Sequence, residues 1–379
     1  MSLGRLLAVQ QNIRAARTVF TQAVAAHPKE AGAHAALASL LVDAGERTGA
    51  RSAFTRALEI DPENREAHRG LAILAERDGD HMAAQRHWRA GFPDGRLVTT
   101  PGFPPGPHQH VLLVAAAAGG NIPLAHVLDP AHFTLTTLIA ESFSPRTEFG
   151  VYDVVFNSIG DAERGRRALG FAERALAGIG ARVINQPANV RETSRAVNAR
   201  RLGALDGIVM PLTIPFRRGA ALSAIRLPFP FLVRSPGFHT GLNFVRVDDA
   251  PSFVTAVDDL PGDELLAIEY IDTRHDAGTY VKYRAMAIDG MIYSVHRAIS
   301  TDWKIHAFTA QHEEAEPPLD DRTLVRLQSV VDTLGLDYCG IDFAYDRSGR
   351  LVVFEANATM IARTPAVITA VQRMLGARV

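Results

Sequence analysis

A self-similarity at a spacing of 34 residues constrains the N-terminal part of this chain more than any other feature. The recurring positions are small residues, large apolar residues and prolines: Ala16, Ala50 and Ala84; Phe20, Phe54 and Trp88; Pro28 and Pro62. Such a period is typical of stacked helix pairs, in which small residues let helices cross closely beside large ones. We therefore predict an α-helical repeat module over residues 1–95.

The period and its small, large and proline positions resemble the tetratricopeptide repeat. We predict two amphipathic helices in each unit. Gly45 or Gly79 lies between the two helices, and Pro28 or Pro62 ends the unit. The stretch holds roughly two and a half units, fewer than the three that usually fold alone. Three roles stay open for the module: to bind a protein partner or the substrate, to pack on the remaining chain, or to pair with a second copy.

Composition narrows the class of protein. The 379 residues, 47% hydrophobic, suffice for two or three globular domains. A net charge of −1 provides no overall field for nucleic acid or an anionic membrane. One cysteine cannot form an internal disulfide, and no apolar run approaches the roughly 20 residues of a membrane span. Because the N-terminus also lacks a signal-peptide pattern, we expect a cytoplasmic protein without nucleic-acid or membrane partners.

A segment rich in proline and glycine, residues 96–110, predicts a linker. Residues 111–215 then alternate strand and helix, with strands near 111–122, 152–161 and 181–187. This alternation predicts an α/β domain with a parallel sheet, whose ligand loops lie at the carboxyl ends of the strands. Asn157 and Ser158, which lie in one such loop, are candidate substrate contacts. The other loop, Gly119 to Asn121, lacks the dinucleotide-binding glycine pattern.

Residues 216–379 show hairpin patterns typical of an α+β domain, including a predicted type I′ turn at Asp289-Gly290. Near its end, Glu355 and Asn357 occupy alternate positions of an apolar strand, so they share one face. A two-residue turn at Ser348-Gly349 would place Asp342 opposite Glu355. Three oxygen ligands on one face suit Mg²⁺, and we predict a magnesium site there.

At this point the chain resembles the ATP-grasp superfamily of carboxylate-amine ligases over residues 111–379. The residues that carry the resemblance are, in order, AspValValPheAsn at 153–157, IleAsnGlnProAlaAsnVal at 184–190, the segment 231–241, LeuAlaIleGluTyrIle at 266–271, and CysGlyIleAspPhe with PheGluAlaAsn at 339–357. The resemblance implies a multidomain fold: the helical repeat module, an α/β pre-ATP-grasp domain at 111–215 and a two-lobed α+β ATP-grasp domain at 216–379.

The resemblance also implies roles for individual residues. Mg²⁺ would be held by Asp342, Glu355 and Asn357, and adenine by the hinge Glu269, Tyr270 and Ile271, with Asp272 or Asp276 on the ribose. Phosphates would meet the backbone of the segment containing Gly237, His239 and Gly241. The family has lysines where this chain has Arg234 and either Arg200 or Arg201. Catalytic cations would be Lys282, Arg284 and Arg297.

A cluster of His296, Lys304 and His306 beside Arg297 predicts a pocket for an anionic substrate rather than a transition-metal site. The segment after Asn357 lacks the glycine frequent in the family. The resemblance implies an ATP- and Mg²⁺-dependent ligase that joins a carboxylate to an amine of an amino acid or peptide through an acyl phosphate. Two alternatives remain: a kinase on the same fold, and a repeat scaffold with a degenerate nucleotide site.

Overall fold

The computed structural model describes residues 13–44, 46–92, 97–117, 119–124, 126–238, 241–275, 278–305 and 312–377. The chain forms two compact units: Met1–Val98 with Leu138–Phe149, and Thr99–Thr137 with Gly150–Val379. Within the described ranges, none of the helices combines the length and apolar character needed to cross a membrane. Gly45, one of the two predicted helix interruptions, lies outside the described residues.

In the first unit, each helix packs against the next helix of the chain: α1 on α2, α2 on α3, α3 on α4 and α4 on α5. Their bounds are α1 Ile13–Ala26, α2 Ala31–Asp43, α3 Arg47–Ile60, α4 Arg65–Arg77 and α5 His81–Gly91. The predicted large residues are buried, with Phe20, Phe54 and Trp88 at most 2% exposed. The helical repeat is thereby confirmed, and a short 3₁₀ turn at Ala140–Ser142 also contacts α5 within this unit.

A polar contact recurs with the same 34-residue spacing as the apolar core. Nε2 of His34 donates to the carbonyl oxygen of Pro28 at 3.0 Å, and Nε2 of His68 donates to that of Pro62 at 2.9 Å. Each contact ties the first helix of a unit to the proline turn that precedes it. The repeated histidines therefore stabilise the turn at which one unit ends and the next begins.

The second unit contains three sheets, of which the first has the order β1-β3-β2-β4-β5. Its strands are β1 Val98–Thr100, β2 Gln109–Ala115, β3 Phe133–Ile139, β4 Val154–Asn157 and β5 Arg182–Ile184. β4 is parallel to both β2 and β5, as predicted. The sequence analysis missed β3, whose threonine-rich alternation is weakly apolar. The helix α6 Arg166–Leu176 lies between β4 and β5, and the helices α7 Pro187–Arg191 and α8 Arg195–Leu202 come after β5.

A four-stranded sheet of order β7-β10-β8-β9 forms the next layer. Its elements are β7 Thr213–Arg217, β8 Phe231–Arg234, β9 Phe244–Val247, α9 Ala250–Asp259 and β10 Glu264–Glu269, with a 3₁₀ turn at Leu222–Ala224. Phe231, Val233 and Phe253 form its apolar core with α9. The hairpin β8–β9 is antiparallel, and its connection contains Gly237; we call the described residues of this connection, 235–238 and 241–243, the lid loop.

The third sheet has six strands in the order β13-β12-β11-β14-β15-β6. Its elements are β6 Ile208–Val209, β11 Tyr280–Ile288, β12 Met291–Ser300, β13 His312–Ala315, α10 Asp321–Leu334, β14 Tyr338–Tyr345, β15 Leu351–Asn357 and α11 Pro365–Met374. Asp289 and Gly290 both have positive φ, 50° and 80°, in the turn between β11 and β12. That turn has the type I′ signature predicted from Asp-Gly.

Candidate functional site

The acidic residues of β14 and β15 meet on one face of the six-stranded sheet. Asp342 pairs with Glu355 and Gly340 with Asn357 in the antiparallel register. Nδ2 of Asn357 donates to Oε1 of Glu355 at 2.8 Å, which confirms that these two side chains share a face. Asp342 and Asn357 are buried, at 5% and 8% exposed, in a sheet whose neighbouring residues are apolar.

Asp342 lies opposite Glu355 as predicted, but the loop that produces this register differs from the predicted two-residue turn. The hairpin loop has three residues, closed by the Asp346 and Arg350 backbones, with Gly349 at φ 77°. That loop places Phe343 opposite Val353, one residue out of the predicted register. A bulge at Phe354 then adds one residue to β15 and restores Asp342 opposite Glu355.

Two cations of β11 neutralise Asp342. Arg284 donates to both carboxylate oxygens, from Nε at 2.7 Å and from a terminal nitrogen at 2.8 Å, and Nζ of Lys282 lies 3.4 Å from Oδ2. Burial alone would raise the pKa of Asp342, but the charges of Lys282 and Arg284 outweigh burial and hold this pKa well below its usual range. His296 of β12 pairs with Arg284 of β11, and its charge also lowers the pKa of Asp342.

A second ion network joins Glu355 to the first sheet through Arg195. One terminal nitrogen of Arg195 donates to Oε1 of Glu355 at 2.7 Å and the other donates to Oε2 of Glu163 at 2.6 Å. The Arg195 and Glu163 side chains are each only 11% exposed. Burial opposes the charged guanidinium, but Glu355 and Glu163 outweigh it and raise the pKa of Arg195.

Sequence analysis missed Arg195 and placed Arg200 or Arg201 at the position of the family's lysine. In the structure Arg200 is exposed, and Arg201 donates to the carbonyl oxygens of Glu192 and Thr333. The signal that identifies Arg195 is helical periodicity, because α8 buries Asn198, Ala199 and Leu202, which lie three, four and seven residues after it. Nδ2 of Asn198 also donates to the Ala356 carbonyl oxygen at 2.6 Å, which fixes this face of α8 against β15.

The end of β8 contributes a buried guanidinium, and the lid loop that follows contributes a backbone donor. Arg234, 8% exposed, donates to the Phe238 carbonyl oxygen and lies over the Phe244 ring at 5.0 Å. Burial, followed by the nearby charge of Arg195, lowers the pKa of Arg234 to about 10. Its Nε is buried without a hydrogen-bond partner. Gly237, at φ 71°, donates its backbone N–H to Oε2 of Glu163 at 2.8 Å. Gly241 is also described, whereas His239 lies outside the described residues.

The predicted adenine hinge follows β10. Oε2 of Glu269 accepts from the Leu212 backbone N–H at 3.0 Å, and the Tyr270 hydroxyl lies 3.1 Å from that of Tyr280. Ile271 is half-buried after the strand. Asp272 accepts from the backbone and guanidinium of Arg274. Asp276 lies outside the described residues, so the ribose prediction for it has no structural counterpart here.

Two predicted substrate contacts have structural partners instead. Asn157 is fully buried, its Nδ2 donating to the Asn185 carbonyl oxygen at 2.9 Å, and the Ser158 hydroxyl donates to that of Val114 at 2.8 Å. Asn185 in turn exchanges hydrogen bonds with the Tyr338 backbone at the start of β14. Because buried polar groups must find partners, Asn157 links the first sheet through Asn185 to β14, and Ser158 bonds to β2 within the first sheet.

The other predicted cations lie in different parts of the structure. Arg297 pairs with Tyr283, not with Arg284, so strand alternation directs it to the opposite face from Asp342. Of the predicted catalytic cations, Lys282 and Arg284 therefore share the face of Asp342, whereas Arg297 does not. Nζ of Lys304 donates to the carbonyl oxygen of Phe244 at 3.1 Å, which ties the segment after β12 to the end of the lid loop. His306 lies outside the described residues.

The donor set of Asp342, Glu355 and Asn357 fits Mg²⁺ by its chemistry, because all three offer hard oxygens on one face. Both carboxylates are already ion-paired: Asp342 with Lys282 and Arg284, and Glu355 with Arg195. Within the described residues, no group of three or more His, Cys, Asp or Glu side chains forms a metal site by itself. Any divalent ion there would therefore need additional anionic ligands to balance these cations.

Comparison with known proteins gives a family for the first unit and a fold for the second. The tetratricopeptide repeat model matches residues 1–46 and 35–88. Comparison with curated proteins found no match. Among solved structures, a D-alanine–D-alanine ligase from Bacillus anthracis complexed with ATP is 12% identical with a TM-score of 0.51, covering 71% of this chain and 96% of that one.

A RimK domain ATP-grasp protein from Sphaerobacter thermophilus is 19% identical, with a TM-score of 0.49 and coverage of 70% of this chain and 99% of that one. The N-terminal part of the chain thus consists of tetratricopeptide repeats, as predicted. At this level of identity, the Bacillus anthracis structure shows similarity of fold alone, and that fold is the predicted ATP-grasp architecture.

Proposed function

We propose that this chain is an ATP- and Mg²⁺-dependent ligase that joins a carboxylate to an amine through an acyl phosphate and releases ADP and phosphate. One observation carries the proposal: the oxygen face of Asp342, Glu355 and Asn357 is linked through Arg195 and Glu163 to Gly237 of the lid loop. An ATP-dependent transfer needs such an arrangement, with oxygen ligands for Mg²⁺ and donors for phosphate in one place.

The nucleotide would be held by groups from all three sheets. Arg195, Arg234 and the Gly237 backbone N–H are the proposed phosphate donors, because guanidinium groups and backbone amides bind phosphate oxygens well. The main chain of Glu269 to Ile271 would meet the adenine. Asp342, Glu355 and Asn357 would hold Mg²⁺, which neutralises phosphate charge when bound. The ATP in the similarly folded Bacillus anthracis ligase supports the choice of nucleotide.

The chemistry requires two anions to approach each other. A carboxylate oxygen of the substrate forms a bond to the γ-phosphorus as the bond from that phosphorus to ADP breaks. The amine nitrogen then attacks the acyl carbon, phosphate leaves, and the nitrogen loses a proton. Lys282 lies beside Asp342 and supplies positive charge near this approach, while Arg284 orients Asp342 through its two-point contact. Arg284 is thus a positioning residue in this proposal.

The substrates are proposed as an amino acid or peptide carboxylate and an amine, in keeping with the ligases of the same fold. The tetratricopeptide repeats could present a protein partner to this site, because such repeats offer extended surfaces for docking. One test of both substrate and chemistry follows from the acyl phosphate, because it is an electrophile that a small nucleophile can intercept.

The decisive experiment replaces the amine by hydroxylamine. The full chain is incubated with ATP, Mg²⁺ and individual amino acids or short peptides, and the products are separated and weighed by mass spectrometry. We expect a hydroxamate of one carboxylate, together with equal amounts of ADP and phosphate. AMP with pyrophosphate would contradict the acyl phosphate and indicate adenylation. A stable phosphorylated product that does not react with hydroxylamine would instead indicate a kinase, and no nucleotide turnover would indicate a scaffold.

A further inference from the structure

The carboxylate of Glu163 occupies a position surrounded by anion-binding groups. Its Oε2 accepts from the Gly237 backbone N–H at 2.8 Å and from the Arg195 guanidinium at 2.6 Å. Its Oε1 lies 3.3 Å from the Arg195 backbone N–H. Three donors from two different elements, the lid loop and the start of α8, thus converge on one acidic side chain.

The same donors suit a phosphate oxygen. A lid-loop backbone N–H and a buried guanidinium are the groups that a nucleotide phosphate would require here. The Gly237 N–H points to one acceptor, Oε2 of Glu163, and a phosphate oxygen could use this N–H fully only after the carboxylate had left. A carboxylate and a phosphate held at this point would also repel each other, because both are anions in a largely buried site.

We propose that Glu163 is an internal competitor of the nucleotide, a carboxylate that occupies the Gly237 backbone N–H and the Arg195 guanidinium and must be displaced when phosphate binds. This inference rests on the proposed nucleotide site. Displacement leaves Arg195 paired with Glu355, so the guanidinium keeps one carboxylate while its other nitrogen is transferred to phosphate.

The local backbone permits this exchange. Glu163 lies in the turn between β4 and α6, where Oδ1 of Asp161 accepts from the backbone N–H groups of Glu163 and Arg164. These contacts hold the turn without using the Glu163 carboxylate. Displacement of the Glu163 carboxylate would therefore need a rotation of its side chain and not a change of the turn.

The test compares two substitutions with different consequences. Glu163→Gln keeps the length of the side chain and removes its charge, whereas Glu163→Asp keeps the charge and shortens the side chain by one methylene, about 1.5 Å. The shorter carboxylate cannot reach both Gly237 and Arg195. Glu173→Gln is the matched control, because Glu173 pairs with Arg191 on the surface at 3.0 Å. The measurement is the dissociation constant of ATP with Mg²⁺, by titration calorimetry on the full chain.

We expect both Glu163 variants to bind ATP at least about fivefold more tightly than the parent and the control. Tighter binding by Glu163→Gln alone would overturn the inference, because it would indicate a general charge effect. Weaker binding by both variants would also overturn it and make Glu163 a positioning residue. Equal binding in all four proteins would overturn the inference and leave the ligase proposal standing, whereas no ATP binding in any of them would overturn both.

Discussion

At the scale of single residues, the alignment of Asp342 with Glu355 was predicted from the sequence, but the loop and the bulge that produce it were not. Asp342 lies opposite Glu355 because a three-residue loop and a bulge at Phe354 offset each other. Neither feature follows from alternation, which assumes a regular ladder. The predicted alignment was therefore correct although the turn assumed for it was wrong.

The acidic face leads to a prediction for Glu355. Glu355→Gln preserves shape and removes one negative charge from the proposed magnesium site, so ATP-dependent hydroxamate formation should fall at least about 100-fold. Arg195 keeps Glu163 as a carboxylate partner, and the variant should therefore remain folded. The measurement is the rate of hydroxamate release beside a thermal melt. Glu173→Gln is the control, and near-parent activity of a folded Glu355→Gln protein would contradict the metal assignment.

Cationic residues were hard to tell apart from the sequence, because arginine is abundant in this chain. Sequence motifs pointed to Arg200 or Arg201, whereas the buried face of α8 contains Arg195. Arg297 was predicted as a catalytic cation together with Arg284, but a bulge between His296 and Ser294 interrupts the β12 ladder and Arg297 pairs with Tyr283. Helical periodicity could have identified Arg195. Nothing in the local sequence indicated the bulge.

At the scale of secondary-structure elements, the helical repeat was the most predictable part of the chain. Its 34-residue spacing specifies both the buried positions and the turns, and the structure repeats the His-to-Pro contact as well. Two neighbouring helices of the repeat also meet at a close contact between a glycine and an aromatic ring. Gly70 in α4 lies against Phe54 of α3, so that a Cβ built at Gly70 would come within 2.0 Å of the phenyl ring.

This contact predicts that one substitution has opposite effects in two backgrounds. Phe54→Ala should destabilise the first unit by about 3–5 kcal/mol, since the ring is 1% exposed. Gly70→Ala should also destabilise it, because the added methyl meets the ring. In the Phe54→Ala background, however, Gly70→Ala should stabilise by up to about 1 kcal/mol through helix propensity. Denaturant unfolding of the four proteins measures the coupling, and simple additivity would contradict the contact.

At the scale of the whole molecule, the candidate site exists only where three sheets meet. Glu163 follows a strand of the first sheet, Gly237 lies in the lid loop of the second, and Glu355 belongs to the third. The order of these elements was predictable, because each has its own local pattern. Their joining through Arg195 was not, since the partners lie 32 and 160 residues away in the chain.

The charge balance of this meeting point predicts that Mg²⁺ binds only together with the nucleotide. Lys282, Arg284 and Arg195 already lie against the two proposed carboxylate ligands, so a divalent cation alone would enter a site with no surplus negative charge. ATP supplies that charge. Thermal unfolding should therefore show no stabilisation by millimolar Mg²⁺ alone and a clear rise in Tm with ATP and Mg²⁺ together. Glu355→Gln should reduce this rise, whereas Glu173→Gln should not. Stabilisation of the parent by Mg²⁺ alone would contradict the proposed balance of charges.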